Sequence, residues 1–228
     1  MANFEVHLGM ATIGGGVVSA ALYGAHIITP GDTALCWAAA SAGGILPDID
    51  LATSSASKNI FTGFGIIGAL SLVIGLNDRF GILLVCVCAA ALYCVIRYGG
   101  KKLFAKMTAH RGIFHSILAA GFFGVVVIDV GSHIGLSEFS AWMIGSFVCL
   151  GFVIHLVLDE VYSVDLGGAR IKRSFGTALK VWDYDDRLRS GILLVAMLIL
   201  VAFLPVPHQF WHVINDPSAY NDIVSHLW

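Results

Sequence analysis

The stretch that organises this chain reads HRGIFHS, from His110 to Ser116, and it opens an apolar run that extends to Val130. Two histidines, an arginine and a serine therefore stand at the edge of a segment that can enter a bilayer. An ionisable side chain at membrane depth is costly unless it has a partner. We therefore interpret the stretch as half of a metal site at a bilayer surface, with the other half supplied by distant parts of the chain.

The composition is that of a membrane protein. Hydrophobic residues make up 57% of the 228 residues and charged residues only 12%, and the mean hydropathy is +0.84. Soluble domains carry about 25% charged residues, so one polytopic membrane bundle is expected rather than one or two soluble domains. The formal net charge of −2 offers no strongly basic surface, and no nucleic-acid partner is expected.

The five cysteines all lie in apolar runs, and no two of them form a CxxC pair. Free cysteine behaves as a small buried hydrophobe. We therefore expect neither a disulfide nor a thiolate ligand from Cys36, Cys86, Cys88, Cys94 and Cys149.

Seven apolar segments approach the length of about 20 residues that spans a bilayer as a helix. In the first, Gly16, Ala20 and Gly24 recur every four residues and are expected to form the ridge on which a neighbouring helix packs. We predict an all-α, polytopic transmembrane bundle over residues 1–204 and an amphipathic outer-face tail over residues 205–228. The segments are Met10–Ile28, Thr33–Leu46 (short, and so a candidate re-entrant segment), Phe61–Leu76, Phe80–Ile96, Ile113–Val130, Ala141–Leu158 and Ile192–Leu204.

The basic residues give the orientation. With a cytoplasmic N-terminus and seven crossings, twelve of the thirteen lysines and arginines fall in inner loops, and only Arg79 lies outside. This agrees with the excess of positive charge in cytoplasmic loops of membrane proteins. The tail carries Phe210, Trp211 and Trp228 but no basic residue, and we interpret it as a segment lying on the outer surface.

Four polar clusters interrupt the apolar pattern: His7, the Pro47–Asp50 stretch, the His110–Ser116 stretch, and His155–Glu160. In the orientation given above, all four fall on the cytoplasmic side. The segments and their orientation were assigned from hydropathy and basic residues alone, so this agreement is independent of them. The four clusters are therefore expected to meet at one site.

Spacing within the clusters supports convergence. His155 and Asp159 are four residues apart and share one face of a helix. The two aspartates of the second cluster are two residues apart and point the same way if that segment is extended. His110 and His115 converge only if the helix starts between them, because five residues of continuous helix would separate them by about 140°.

The candidate ligands offer nitrogen and carboxylate oxygen without thiolate, a set that suits zinc, manganese, iron or nickel. Their number exceeds what one tetrahedral ion needs, so one or two ions are expected. Arg111 would lie near an anionic group such as phosphate or carboxylate, and Ser116 would orient a ligand or substrate. The candidate metal ligands are His7, Asp48, Asp50, His110, His115, His155 and Asp159.

Each cluster alone also has an ordinary explanation. His7 could be a terminal histidine, the aspartates of the second cluster could cap the next segment, and His155 with Asp159 could be a buried hydrogen-bonded pair. The acidic run Asp183–Asp186 is interpreted as solvated surface. The metal site depends on all four clusters occurring together.

Taken in order, the early His, Pro-Asp-x-Asp, His-Arg-Gly-x-x-His-Ser and His-x-x-x-Asp resemble the pattern of bacterial inner-membrane proteins described as membrane-bound, metal-dependent hydrolases, including the LexA-regulated YdjM branch. The stretch His155–Lys180 is especially similar to that branch, and the resemblance covers about residues 1–190. This chain has Ile113-Phe114 before the second histidine of the third motif, where x-Thr is commoner in that family. The resemblance implies a multi-pass protein of the bacterial inner membrane, with metal-site roles for the seven candidate ligands.

We therefore expect a metal-dependent hydrolase that acts on a lipid or amphiphilic ester, amide or phosphoester at the cytoplasmic face, with membrane lipids as partners. A divalent metal, zinc or manganese, would activate water. Asp50 or Glu160 would act as general base, and Arg111 would hold the developing anion. Two alternatives stay open: a metal or proton transporter, and a stress-response membrane protein whose metal only staples helices.

Overall fold

A computed structural model describes residues 3–50, 55–76, 80–102, 113–165, 170–171, 179–218, 221 and 224. Helices dominate the described chain, and the strands assigned in it form one two-residue antiparallel ladder. The all-α prediction is confirmed. The elements are α1 (Phe4–Gly24), α2 (Pro30–Gly43), a 3₁₀ helix (Leu46–Asp50), α3 (Ser55–Leu76), α4 (Ile82–Cys94) continued by a π-helix (Val95–Gly100), α5 (Ile117–His133), α6 (Glu138–Val161), β1 (Val164–Asp165), β2 (Arg170–Ile171), α7 (Arg187–Val201) and α8 (His208–Ile214).

Each of the seven predicted segments corresponds to one of the helices α1 to α7. In the described part of the chain, three helices are long and apolar enough to cross a membrane, namely Phe4–Gly24, Ile82–Gly100 and Glu138–Val161, and Ile117–His133 is a shorter apolar helix. The prediction of a helical membrane bundle is therefore confirmed, whereas the orientation stays a prediction.

The chain forms two compact units. The first comprises Met1–Pro47 and Gly112–Trp228, and the second comprises Asp48–Arg111. The predicted division into a domain over 1–204 and a tail over 205–228 is not tested by this arrangement and stays a prediction.

Small residues let α1, α2 and α6 of the first unit approach closely. A Cβ added at Gly15 would meet the Ala40 side chain, and one added at Gly43 would meet the backbone of Val148. The buried positions of α1 are His7, Ala11, Gly15 and Ser19. The packed ridge is thus one residue earlier than the expected ridge, whose middle member Ala20 is exposed. The shift matters because the true ridge includes His7.

In the second unit, α3 and α4 pack as an antiparallel hairpin. An added Cβ at Gly65 would meet the ring of Tyr93, and one at Gly100 would lie 3.6 Å from Phe61. The sums of these paired residue numbers stay nearly constant, as antiparallel packing requires.

Helix α8 packs on the rest of the first unit through the aromatic side chain of Phe210. Phe210 is buried in the core formed with α2 and α6 and lies 5.6 Å from the ring of Trp142. The Trp142 indole N–H donates to the Pro205 carbonyl at 3.0 Å. Trp211, the next residue, is exposed. All five cysteine thiols are free, as expected.

Candidate metal centre

His115 lies in the turn that leads into α5. Ser116 is the N-cap, because its hydroxyl accepts from the Ala119 amide at 3.2 Å and donates to the Ile113 carbonyl at 2.7 Å. An N-cap serine fixes the point at which a helix begins. His115 is therefore held at the start of α5 and is buried there.

The expected helix start between His110 and His115 is wrong, because α5 begins at Ile117, after both. The apolar residues Ile113 and Phe114 suggested an earlier start. They instead belong to a turn that the Ser116 side chain closes.

The other side chains of the centre come from α1 and α6. His7 occupies the first position of the buried ridge of α1. His155 and Asp159 lie one turn apart near the end of α6, on its buried face. Three separate segments therefore bring three imidazoles and one carboxylate together, as the sequence predicts for these four residues.

All three imidazoles face the same carboxylate. His7 Nε2 lies 3.2 Å from Asp159 Oδ1, and the Nε2 atoms of His115 and His155 each lie 3.7 Å from Asp159 Oδ2. The four residues are only 0–5% exposed. The imidazoles also contact one another: the rings of His7 and His155 stack at 3.6 Å, and the ring of His115 meets that of His155 edge-on at 5.6 Å.

The Gly44 carbonyl, which accepts a hydrogen bond from His155 Nδ1 at 2.7 Å, fixes the proton on that ring. A carbonyl oxygen can only accept, so Nδ1 must carry the hydrogen, and Nε2 of the neutral ring then presents a lone pair. Histidines that bind metals are commonly held in this way by a backbone carbonyl. The sequence did not single out Gly44, because nothing in its composition marks a backbone acceptor.

Close packing places this carbonyl. Gly44 follows α2, and a Cβ there would meet the side chain of Ala11. A Cβ at Gly151 of α6 would meet the Ala40 carbonyl and would lie 2.9 Å from the Gly44 nitrogen. Glycine at both positions therefore lets the end of α2 lie between α1 and α6, where it reaches His155.

The side chains of this centre suit a divalent metal ion. One ligand atom each from His115, His155 and Asp159 lies within 4.8 Å of the others. His7 Nδ1 is buried and has no hydrogen-bond partner among the described residues. Two or three imidazoles with one carboxylate form a common zinc-binding set. These residues could therefore hold an ion after small side-chain shifts.

Four other predicted residues cannot be assigned to the centre. His110 and Arg111 lie outside the described residues. Asp48 directly follows Pro47 and begins the second unit, and the side chain of Asp50 is not described. The aspartates belong to a 3₁₀ helix, so the extended segment considered for them is wrong. Metal-site roles for these residues stay predictions.

Two predicted catalytic residues lie beside the centre. Ser116 uses its hydroxyl hydrogen and one acceptor position in capping α5. Glu160 follows Asp159 in α6, is partly buried, and has a carbonyl that accepts from the Ser163 hydroxyl at 2.5 Å. Their catalytic roles stay predictions.

The segment before α7 covers the start of α5. The Ile117 and Leu118 amides donate to the carbonyls of Lys180 and Val181, each at 3.0 Å. Asp183 anchors this segment: it is buried and accepts from Lys180 Nζ at 2.9 Å. The interpretation of the acidic run as solvated surface is therefore wrong for Asp183. A lysine three residues before the aspartate was the available sequence signal.

Comparison with known proteins gives one match. A family model described as YdjM inner membrane protein matches residues 4–205, a range that includes every side chain of the centre. No curated protein and no solved structure matches the chain. Together with the apolar helices, the match makes this an inner-membrane helical protein and confirms the resemblance seen in the sequence. The chain belongs to the YdjM inner membrane protein family.

Proposed function

We propose that this protein is a metal-dependent hydrolase whose centre is formed by His7, His115, His155 and Asp159. The observation that carries the proposal is the grouping of three buried imidazoles around one buried carboxylate. Buried ionisable groups are costly unless they are paired or bind a metal. Such a cluster in an apolar bundle therefore needs a functional explanation.

Charge supports a metal rather than protons at the centre. If all three imidazoles were protonated, three positive charges would lie close together in a site of low dielectric, and one carboxylate could balance only one of them. Neutral imidazoles with one carboxylate suit a divalent ion instead. When bound, such an ion supplies Lewis acidity and activates water.

The residues around the proposed ion have separate roles. The Gly44 carbonyl orients His155, and the carboxylate of Asp159 accepts from His7 and faces the other two imidazoles. Ser116 holds the turn that carries His115. A lipid or amphiphilic ester, amide or phosphoester is the proposed substrate, because the centre belongs to a bundle that spans the inner membrane. Glu160, which follows Asp159 in α6, is the proposed general base in the described chain.

Deep burial favours one competing function. A structural metal site is closed, whereas a catalytic site keeps an open coordination position. The four side chains are nearly inaccessible in this conformation, which is the arrangement expected of an ion that only staples α1, α5 and α6. A hydrolase requires His115, the one ligand that lies outside a helix, to give access to substrate.

Metal content tests the centre itself. Purified protein should bind a divalent ion, and His115→Ala and Asp159→Asn should each weaken binding by at least the roughly 10–100-fold that loss of a supporting group costs. His133→Ala is the matched control, because His133 is an exposed histidine of α5 that hydrogen-bonds to its own helix. Equal metal content in all four proteins would refute the centre.

Substrate turnover distinguishes a hydrolase from a protein whose metal ion is only structural. Chromogenic esters, anilides and phosphodiesters with long acyl chains should be hydrolysed in mixed micelles by the metal-loaded protein and not by His115→Ala. If the metal-loaded protein loses thermal stability on chelation but hydrolyses none of these substrates, the metal has a structural function and the proposed hydrolase activity is wrong.

A further inference from the structure

Three basic residues lie at one end of the hairpin in the second unit. Lys58 is exposed in the first turn of α3, one turn before Phe61. Phe61 packs on Gly100 of the neighbouring π-helix. Lys101 directly follows Gly100, so the packing of these two residues brings Lys58 and Lys101 to the same end of the hairpin.

Arg97 adds the third positive charge. It lies in the π-helix, four residues before Lys101, and its guanidinium stands over the ring of Tyr98 at 5.4 Å. The wide turn of a π-helix has more than four residues, so positions four apart lie nearly above one another. Partial burial, and after it the positive charges of Arg97 and Lys58, lowers the pKa of Lys101.

The hairpin sequence supplies almost no negative charge to balance these three. Within the hairpin itself, from Ser55 to Lys102, the only acidic residue is Asp78, which follows the end of α3 and so is remote in the chain from the three basic residues. Asp48 and Asp50 precede the hairpin in the 3₁₀ helix. Like charges that lie close together repel, and a bound anion relieves that repulsion. The three basic side chains therefore form an electropositive site at the end of an apolar hairpin.

We propose that Lys58, Arg97 and Lys101 bind the phosphate of an anionic phospholipid headgroup. The apolar surroundings favour a lipid over a free anion: Val95 and Tyr98 are each 64% exposed beside the site, where they can contact acyl chains. In the predicted orientation this end of the hairpin faces the cytoplasmic leaflet, whose anionic lipids attract basic residues next to membrane helices.

The test compares two double variants of the full-length protein with the same net charge. Lys58→Gln/Arg97→Gln removes two charges of the site, and Arg187→Gln/Arg189→Gln removes two charges at the start of α7. Affinity for short-chain phosphatidylglycerol is measured in a neutral detergent by native mass spectrometry. Because each basic residue contributes about fivefold in affinity, the site variant should lose about 25-fold and the control less than threefold.

Two further binding measurements identify the ligand. Phosphatidylcholine should bind at least about tenfold more weakly than phosphatidylglycerol, and inorganic phosphate should not displace the lipid at equal concentration. Equal losses in the two double variants, equal affinity for both lipids, or displacement by inorganic phosphate would each overturn the proposal. If the double variant fails to fold by circular dichroism, Lys58→Gln alone should still lose about fivefold, and an unchanged affinity would refute the site.

Discussion

Replacing Gly151 by alanine tests whether close helix packing builds the metal centre. The added methyl group would meet the Ala40 carbonyl oxygen at a distance that real Cβ atoms do not adopt, and it would lie 2.9 Å from the Gly44 nitrogen. Both contacts are with backbone atoms, so no flexible side chain can move away. The end of α2 must therefore shift away from α6, taking with it the carbonyl that holds His155.

The expected loss follows from two opposing effects. Overpacking a well-packed interior costs about 1–3 kcal/mol, and the upper end applies here because the backbone itself must move. Alanine in a helix is about 1 kcal/mol better than glycine, which offsets part of that loss. We expect the free energy of unfolding to fall by about 2 kcal/mol, measured by circular dichroism during titration of mixed micelles with a denaturing detergent.

Metal affinity gives a second measurement. Because the shift removes the acceptor for His155 Nδ1, affinity should fall about 10–100-fold, as for the loss of other supporting groups around metals. Gly191→Ala is the matched control, since no described atom lies within 4 Å of its added Cβ. It should stabilise α7 by up to about 1 kcal/mol without a change in metal affinity. If Gly151→Ala behaves like this control, the close approach of α2 and α6 is wrong.

Three further substitutions test packing and capping by the same unfolding measurement. Ser116→Ala removes the N-cap of α5 and should cost about 1 kcal/mol, while an asparagine at that position should retain most of the stability. Phe210→Ala should cost about 3 kcal/mol because it leaves a cavity at a buried site. Trp211→Ala removes an exposed side chain and should change stability by less than about 0.5 kcal/mol. Equal effects of the two substitutions would contradict the packing of α8 through Phe210. Asp183→Ala should cost about 2 kcal/mol because it removes the partly buried hydrogen bond with the charged Lys180 side chain, and a substitution of the exposed Asp185 by alanine should be neutral.

Hydropathy predicted which segments are helical better than it predicted where the helices begin. Hydropathy places the start of the first apolar run at Met10, but α1 begins at Phe4 because the Asn3 side chain accepts from the Val6 amide at 2.9 Å. Polar residues in a first turn lower the hydropathy without preventing the helix. The consequence is functional, since His7 lies inside α1 rather than before it.

Spacing predicted the parts of the site that lie on one element. The four-residue interval of His155 and Asp159 required only a regular helix, and the structure has one. The interval between the aspartates of the Pro47–Asp50 stretch suits an extended segment, but the structure has a 3₁₀ helix there, because a proline followed by Asp-Ile-Asp is compatible with both. Local sequence alone does not decide between them.

The tertiary supports of the centre depend on contacts that no local pattern contains. Gly44 contributes only its carbonyl, which meets His155 across 111 positions of sequence. The carbonyls of Lys180 and Val181 likewise reach the amides of Ile117 and Leu118 from a segment more than 60 residues away. Backbone acceptors carry no residue-type signal, so only the packing of small residues on neighbouring helices could have indicated them.

The helix packing and backbone hydrogen bonds around the centre constrain its four side chains to different extents. His7, His155 and Asp159 lie within helices that approach each other closely. His115 precedes the N-cap of α5, and the hydrogen bonds that Ile117 and Leu118 donate to the Lys180 and Val181 carbonyls hold the start of that helix in place. A movement of His115 together with the start of α5 therefore requires the segment before α7 to release that helix, whereas a structural ion requires it to remain bound. Whether the metal centre is catalytic or structural thus depends on the stability of a few backbone hydrogen bonds next to His115.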